Sequence, residues 1–323
     1  MPLLLATFLS AALFAEDLPE EELPAAVRPA IPPPHPRPFV TDEQWTIPDG
    51  VLIALRAAEG ESLARRLDIA TRPFLGKLYI IDAAGEGDHD DPDPPSRYDV
   101  FDCLTFVEEA LAMAMAPDPL YAPSIRDQLR YRGAPSYQNR RHFMEAQWLP
   151  DAAAAGLITD LTVALGATHW QKKELSTQLW SGWGKRRSVF FRLPDELLPS
   201  GIWSLPYLDL EQAAQVIPRL PEGALLLTVR NEQRWVPTDI SHVGLVVRGK
   251  DGQPWMRHAS RMGQQVVRED RLSWYVQNLH SYRRPVAGIS VWMPREQGPR
   301  RSALLPAALP ALASSESVTD TVH

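Results

Sequence analysis

The chain changes its hydrophobic period part-way along, and that change limits the folds open to it. Between Asp49 and Leu67, the pairs Val51 and Leu55, then Leu63 and Leu67, fall at helical spacing and predict two short helices broken near Gly60. A third helix is predicted from about Asp102 to Met115. There Leu104, Val107 and Leu111 share a face, Asp102 is a good N-cap type, and Pro117 ends the run. Lys77–Ile81 reads as a short extended piece, and the acidic, Gly- and Pro-containing stretch Asp82–Ser96 as an exposed loop. The middle third predicts helices over Ile125–Tyr131, Arg141–Trp148 and Trp170–Trp180. In the last third, Ala224–Val229, His242–Val247, Trp255–His258, Gln265–Arg268 and Gly288–Trp292 are short, rich in Val, Leu and Ile, and separated by Gly, Asp or Pro. Those are antiparallel strands. Helices followed by a sheet predict an α+β domain, with a helical insertion between the Asp102 helix and the strands.

Proline sets the ends of that domain. The chain has 31 prolines among 323 residues, concentrated over Pro19–Pro48 and Pro294–Pro310. Such flanks read as extended or disordered. The expected organisation is therefore a linker over 16–44, a folded domain over 45–295 and a tail over 296–323. Residues 1–15 form an apolar run followed by Glu16-Asp17, too short to span a bilayer but matching the core of an export signal with Ala15 at its end. No later stretch is apolar enough to cross a membrane. The net charge of −7 argues against nucleic acid as a partner, and a monomer is expected. The acidic loop lacks the spacing of a calcium-binding hand. With a single cysteine and no tight His/Glu cluster, zinc and other cofactors are not expected.

That cysteine, Cys103, falls in the first turn of the Asp102 helix. Helix N-termini present unpaired N–H groups and a partial positive charge, which favour a thiolate and a developing oxyanion. A nucleophilic thiol also needs a base and a group that orients the base. His242 opens one predicted strand, with Gly244 on its face leaving room beside it, and His258 lies on the next strand. The hairpin between them has two possible registers. A two-residue turn at Asp251-Gly252 pairs Leu245 with His258 and separates the rings. A three-residue turn over Lys250–Gly252 pairs Gly244 with His258 and makes the two histidines diagonal neighbours on one face. Arg140 and Arg141, with Arg132, are candidates for binding free carboxylates through their guanidinium forks. Trp170, Trp180, Trp183 and Trp203 are candidates for stacking on sugar rings, or for core.

Asp102-Cys103-Leu104-Thr105-Phe106-Val107-Glu108, then Ser241-His242-Val243-Gly244, then His258-Ala259-Ser260 resembles the NlpC-type superfamily of papain-like cell-wall peptidases. Within it the likeness is to the group described as N-acetylmuramoyl-L-alanine amidase-like. It extends over roughly Asp49 to Val291 and includes Leu75-Gly76-Lys77-Leu78-Tyr79, Tyr131-Arg132-Gly133 and Arg140-Arg141-His142-Phe143. The resemblance implies Cys103 as nucleophile, His242 as general base and acid, and His258 as the residue orienting His242. It implies Tyr79 lining the site and Asp102 meeting a substrate amine. The activity implied is hydrolysis, through a thioester, of an amide in the stem peptide of peptidoglycan by an exported enzyme, at either the N-acetylmuramoyl–L-alanine bond or the γ-D-glutamyl–diamino-acid bond. The alternatives are a non-catalytic wall-binding protein that keeps the fold and an acyltransferase of the same fold. The chain departs from the superfamily pattern at Leu104-Thr105, where Ser-Gly is common. It departs again at Lys77-Leu78, where the group usually has a smaller residue and proline.

Overall fold

The structure, a computed structural model, describes residues 46–88, 90–182, 193–233 and 236–297. The expected export signal over 1–15, the linker over 16–44, Trp183 and all but the first two residues of the tail lie outside the described residues. Those two residues are tied to the domain. Glu296 accepts from the Leu63 N–H and pairs with Arg66, and the Gln297 amide donates to the Gly156 carbonyl. Both residues therefore pack on the domain.

The helical first part follows the spacing. Helices α1 (Asp49–Ala57) and α2 (Leu63–Thr71) break around Gly60, with the Ser62 hydroxyl capping α2. Strand β1 (Leu78–Tyr79) pairs in parallel with β2 (Val100–Phe101), which leads into α3 (Cys103–Met115). Helix α3 is buried from Thr105 to Met115 and packs against α4 (Ala122–Arg130). Two carboxylates on α3 carry much of that contact. Glu108 accepts from Arg130 at 2.7 Å and from the Trp148 indole at 3.0 Å, while Glu109 accepts from Tyr98 at 2.9 Å. Buried charge of this kind is tolerated only when paired and hydrogen-bonded. The result is a helix locked to its neighbours along its length, with its N-terminus held in place.

The middle of the chain differs from expectation. The stretch expected to be helical over Trp170–Trp180 is strand β4 (His169–Leu175) followed by a short helix, α6 (Thr177–Gly182). In Trp170-Gln171-Lys172-Lys173-Glu174-Leu175 burial falls on Lys173 and Leu175, a period of two, and β4 pairs along its length with β5 (Gly201–Asp209). The expected helix over Arg141–Trp148 is instead a π-helical turn, Met144–Trp148, running into α5 (Leu149–Ala154). Pro150 sits in the first turn of α5 and has no N–H to donate back, so the regular ladder cannot pass through this junction.

The sheet is the α+β half. Strands β3 (Ile158–Asp160), β6 (Leu225–Arg230), β7 (Ile240–Arg248), β8 (Pro254–Ala259), β9 (Val267–Arg271) and β10 (Val286–Pro294) join β4 and β5 in the order β4-β5-β10-β6-β7-β8-β9, with β3 also on β10. Every neighbouring pair is antiparallel. Side-chain alternation divides the interior. Leu225, Leu227, Val243 and Leu245 face the core built with α1 to α4. Leu226, Val246, Met256 and Ile289 face a second core with α7 (Leu210–Val216) and α8 (Leu272–Leu279). No described helix is long and apolar enough to cross a membrane.

Candidate active site

Cys103 is the first residue of α3, as its position after Asp102 predicts. A capping box sets the geometry: Asp102 Oδ1 accepts from the Thr105 N–H at 2.7 Å, and Thr105 Oγ1 accepts from the Asp102 N–H at 2.9 Å. Thr105 is thus the partner that fixes this helix start. Three backbone N–H groups, those of Val243, Cys103 itself and Leu104, act on the Cys103 thiol in the direction of the thiolate. Burial nevertheless pushes the thiol up to about 12, with the Asp102 charge adding to the rise and the three N–H groups opposing it. Tyr79, on β1, is in the electrostatic reach of both Cys103 and Asp102. Burial first, then those two charges, raise its phenol, which stays a hydrogen-bond donor.

The Val243 N–H that favours the thiolate belongs to the residue next to His242. Strand β7 enters through a bulge: Thr228 pairs with His242 and Val229 with Ile240, leaving Ser241 as the extra residue. The hairpin to β8 takes the three-residue turn. Leu245 pairs with Arg257 and Arg248 with Pro254, the Gly249 N–H donates to Gln253 at 2.9 Å, and Gly252 has φ +72°. The histidines meet as that register requires. Nε2 of His242 lies 2.6 Å from Nδ1 of His258, with the rings edge to face. A Cβ at Gly244 would come within 2.8 Å of the His258 Cβ and 2.7 Å of the Met256 methyl. The space beside Gly244 is therefore filled by His258 and Met256, where an open cleft was expected.

Beyond the pair, Nε2 of His258 is 3.0 Å from Oδ2 of Asp270 on β9. Oδ1 of Asp270 accepts from Arg268 Nε at 3.0 Å. Tyr275 on α8 backs both rings, its hydroxyl 2.7 Å from that of Thr228. Burial first, with His258 and Arg230 acting in the same direction, holds His242 well below the ordinary imidazole range, so it is neutral at neutral pH. Burial works against Asp270, but the hydrogen bonds from His258 and Arg268 outweigh it and hold the carboxyl below its ordinary value. Sequence reasoning missed Asp270, which in Arg268-Glu269-Asp270-Arg271 reads as a solvated charge run. The usable signal is register: β9 pairs Arg268 with His258, which puts Asp270 diagonally across from the ring.

The other predicted residues are placed differently. Both Asp102 oxygens are engaged within the chain, Oδ1 in the cap and Oδ2 toward the Ala83 N–H at 3.5 Å. Arg140 is closed around Glu86 at 2.8 and 2.7 Å and Asp91 at 2.9 Å, so it staples the acidic loop in place. Arg141 binds Asp151 at 2.7 Å and the carbonyls of Gln128 and Leu129. Both guanidinium groups have internal carboxylate partners in addition to any role toward a substrate carboxylate. The Arg140 partners come from a loop distant in the chain, whereas Asp151 lies only a short way beyond Arg141. Trp180 is core and Trp203 packs on the same small cluster, while Trp170 is half exposed on β4.

The comparisons agree with this architecture. A Legionella pneumophila protein of known crystal structure aligns over 76% of this chain and 93% of its own, at 22% identity and a TM-score of 0.64. A Bacteroides uniformis structure described as an N-acetylmuramoyl-L-alanine amidase aligns over 72% and 99%, at 20% identity and a TM-score of 0.56. One from Bacteroides fragilis described as a putative xylanase aligns over 69% and 98%, at 25% and 0.56. None of the curated proteins matches the chain. The family described as AmiA-like, N-acetylmuramoyl-L-alanine amidase-like, matches residues 69–282, a span that takes in Tyr79, Cys103, His242, His258 and Asp270, and the chain belongs to that family.

Proposed function

We propose that the protein is an exported cysteine amidohydrolase of peptidoglycan, of papain-like, NlpC-type arrangement, with Cys103 as nucleophile, His242 as general base and acid, and His258 orienting His242. The observation that carries this reading is the short path from helix start to histidine pair. The backbone N–H of Val243, which favours the Cys103 thiolate, belongs to the neighbour of His242, whose Nε2 lies 2.6 Å from Nδ1 of His258. That bond leaves Nδ1 of His242 as its remaining nitrogen for the thiol. The apolar N-terminus over 1–15 would serve as the export signal that a cell-wall substrate requires.

The chemistry is acyl transfer. His242 takes the Cys103 proton as sulfur attacks the amide carbonyl, and the oxyanion is met by N–H groups of the α3 N-terminus with Tyr79 as a further donor. Collapse breaks the C–N bond, His242 returns the proton to the departing amine, and water then hydrolyses the thioester. Because burial keeps both the thiol and the imidazole neutral at rest, the charged pair forms only when substrate is attacked. The bond between N-acetylmuramic acid and L-alanine is favoured as the scissile amide over the γ-D-glutamyl–diamino-acid bond. The family description supports it, and Asp102, the residue suited to a free stem-peptide amine, is occupied by the helix cap.

Digestion of purified cell wall and of isolated stem peptides, with product masses read out, tests this. The expected products are intact stem peptides beginning with L-alanine, absent with Cys103→Ala. Equal activity of wild type and C103A, or no product from either substrate, would overturn the assignment.

A further inference from the structure

The line of hydrogen bonds does not stop at the two histidines. We propose that Asp270 is a positioning residue that, through His258, decides which nitrogen of His242 carries the proton and so leaves Nδ1 as the base available to Cys103. The inference rests on the cysteine hydrolase reading above and extends it by one residue.

Proton counting carries it. An ionised carboxylate only accepts, so at 3.0 Å from Asp270 Oδ2 the Nε2 of His258 must be the protonated nitrogen. With one proton on its ring, His258 has its lone pair on Nδ1. That nitrogen lies 2.6 Å from Nε2 of His242, a contact satisfied only if His242 supplies the proton. His242 has one proton when neutral, and it is now committed to Nε2. Its Nδ1 is left as a base. Without the carboxylate the opposite arrangement becomes equally available: His258 donates from Nδ1, and the His242 proton moves to the nitrogen that should accept. The groups around His258 support one direction. Asp270 and Arg268 face it from β9, His242 from β7 and Tyr275 from α8; Arg268 holds the second Asp270 oxygen, and the Tyr275 hydroxyl is bonded to Thr228. The Arg268 guanidinium in turn lies over the half-exposed Trp274 ring at 5.9 Å. Asp270 is thus oriented from the surface side and reads inward.

The decisive variant is Asp270→Asn, whose amide can donate to His258 Nε2 and reverse the line. The expected results are an exchange of protonated and bare ring nitrogens in ¹⁵N spectra of His242 and His258, and a fall in kcat of about 100-fold with KM little changed. In a His258→Asn background, D270N is expected to add no further loss. An unchanged nitrogen pattern in folded D270N, or an equal loss with and without His258, overturns the proposal. If D270N does not fold, Asp270→Glu is expected to keep the wild-type nitrogen pattern, and an exchanged pattern there also overturns it. The spectra need no substrate. Failure of the hydrolase reading, seen as an active C103A or an inactive wild type, is therefore separate from failure of the Asp270 assignment.

Discussion

A methyl group added at Gly244 would stand 2.7 Å from the Met256 side chain, 2.8 Å from the His258 Cβ and 3.0 Å from the Arg257 carbonyl. Met256 can yield; the backbone cannot, so His258 is the group that moves. Gly244→Ala is therefore expected to cost about 1–3 kcal/mol in unfolding free energy, the usual range for overpacking. It should also cost activity, because the 2.6 Å contact between the rings has no slack. Denaturant unfolding with a parallel assay checks this, and a fully active, equally stable variant would show that His258 is not held by contact across the glycine. The same residue-level packing explains the neutral resting site. Burial acts on Cys103 and His242 in opposite chemical directions, raising the thiol and lowering the imidazole, and both shifts disfavour charge.

Among the elements, the π-helical turn Met144–Trp148 has the clearest link to the site. Its Glu145 accepts from the Asp239 N–H at 2.6 Å and from the Thr238 hydroxyl at 2.8 Å, one turn of chain before the His242 strand. Burial pushes Glu145 up to about 7, so the folded protein holds its proton more tightly than the unfolded chain, where the ordinary value is 4.5. Its stabilising contribution is complete below about pH 4.5 and is lost as pH rises through 7. Buried His142 runs the other way. Its imidazole, lowered to about 4 chiefly by burial, contributes above its ordinary 6.5 and loses that contribution as pH falls through 4. Comparing Glu145→Gln with wild type isolates the carboxyl. The variant should gain stability relative to wild type between pH 5 and 9, by on the order of 3 kcal/mol. A pH-independent difference in unfolding free energy would sink that account.

At the scale of the molecule, Arg257 joins the helical and sheet halves. It is fully buried on β8, yet its guanidinium reaches Thr71 Oγ1 at 2.7 Å, the Asp68 carbonyl at 3.0 Å and Asp68 Oδ1 at 2.9 Å, all on α2. Glu269 on β9 completes its shell at 2.9 Å. Removing one partner of a buried pair leaves the other uncompensated. Arg257→Met is expected to cost about 3 kcal/mol, at the low end of that range because Arg65 and Arg72 still pair with Asp68. Chemical unfolding would test it, and a stability within experimental error of wild type would mean that the apolar contacts alone join the halves.

The sequence alone determined what local physics encodes. Helices α1 to α3 follow from apolar spacing and caps, β6 to β10 from alternation and turn residues, and Cys103 stands at a helix start because Asp102 and Thr105 close a box within four residues. It reached the histidine pair only as one of two registers. The choice belonged to tertiary structure, because which register survives depends on whether His258 packs across Gly244 and whether both faces of β7 are covered. The same holds for what was missed. The β4–β5 pair carries its signal in a partner some thirty residues away, and the carboxylates that meet Arg140, Glu86 and Asp91, arrive from another loop. Asp270 is indistinguishable from surface charge until β9 lies beside β8. Contacts between residues distant in sequence leave no periodic trace, so the fold class and the thiol were legible in the chain, while the hydrogen-bonded line behind the thiol exists only once the sheet is assembled.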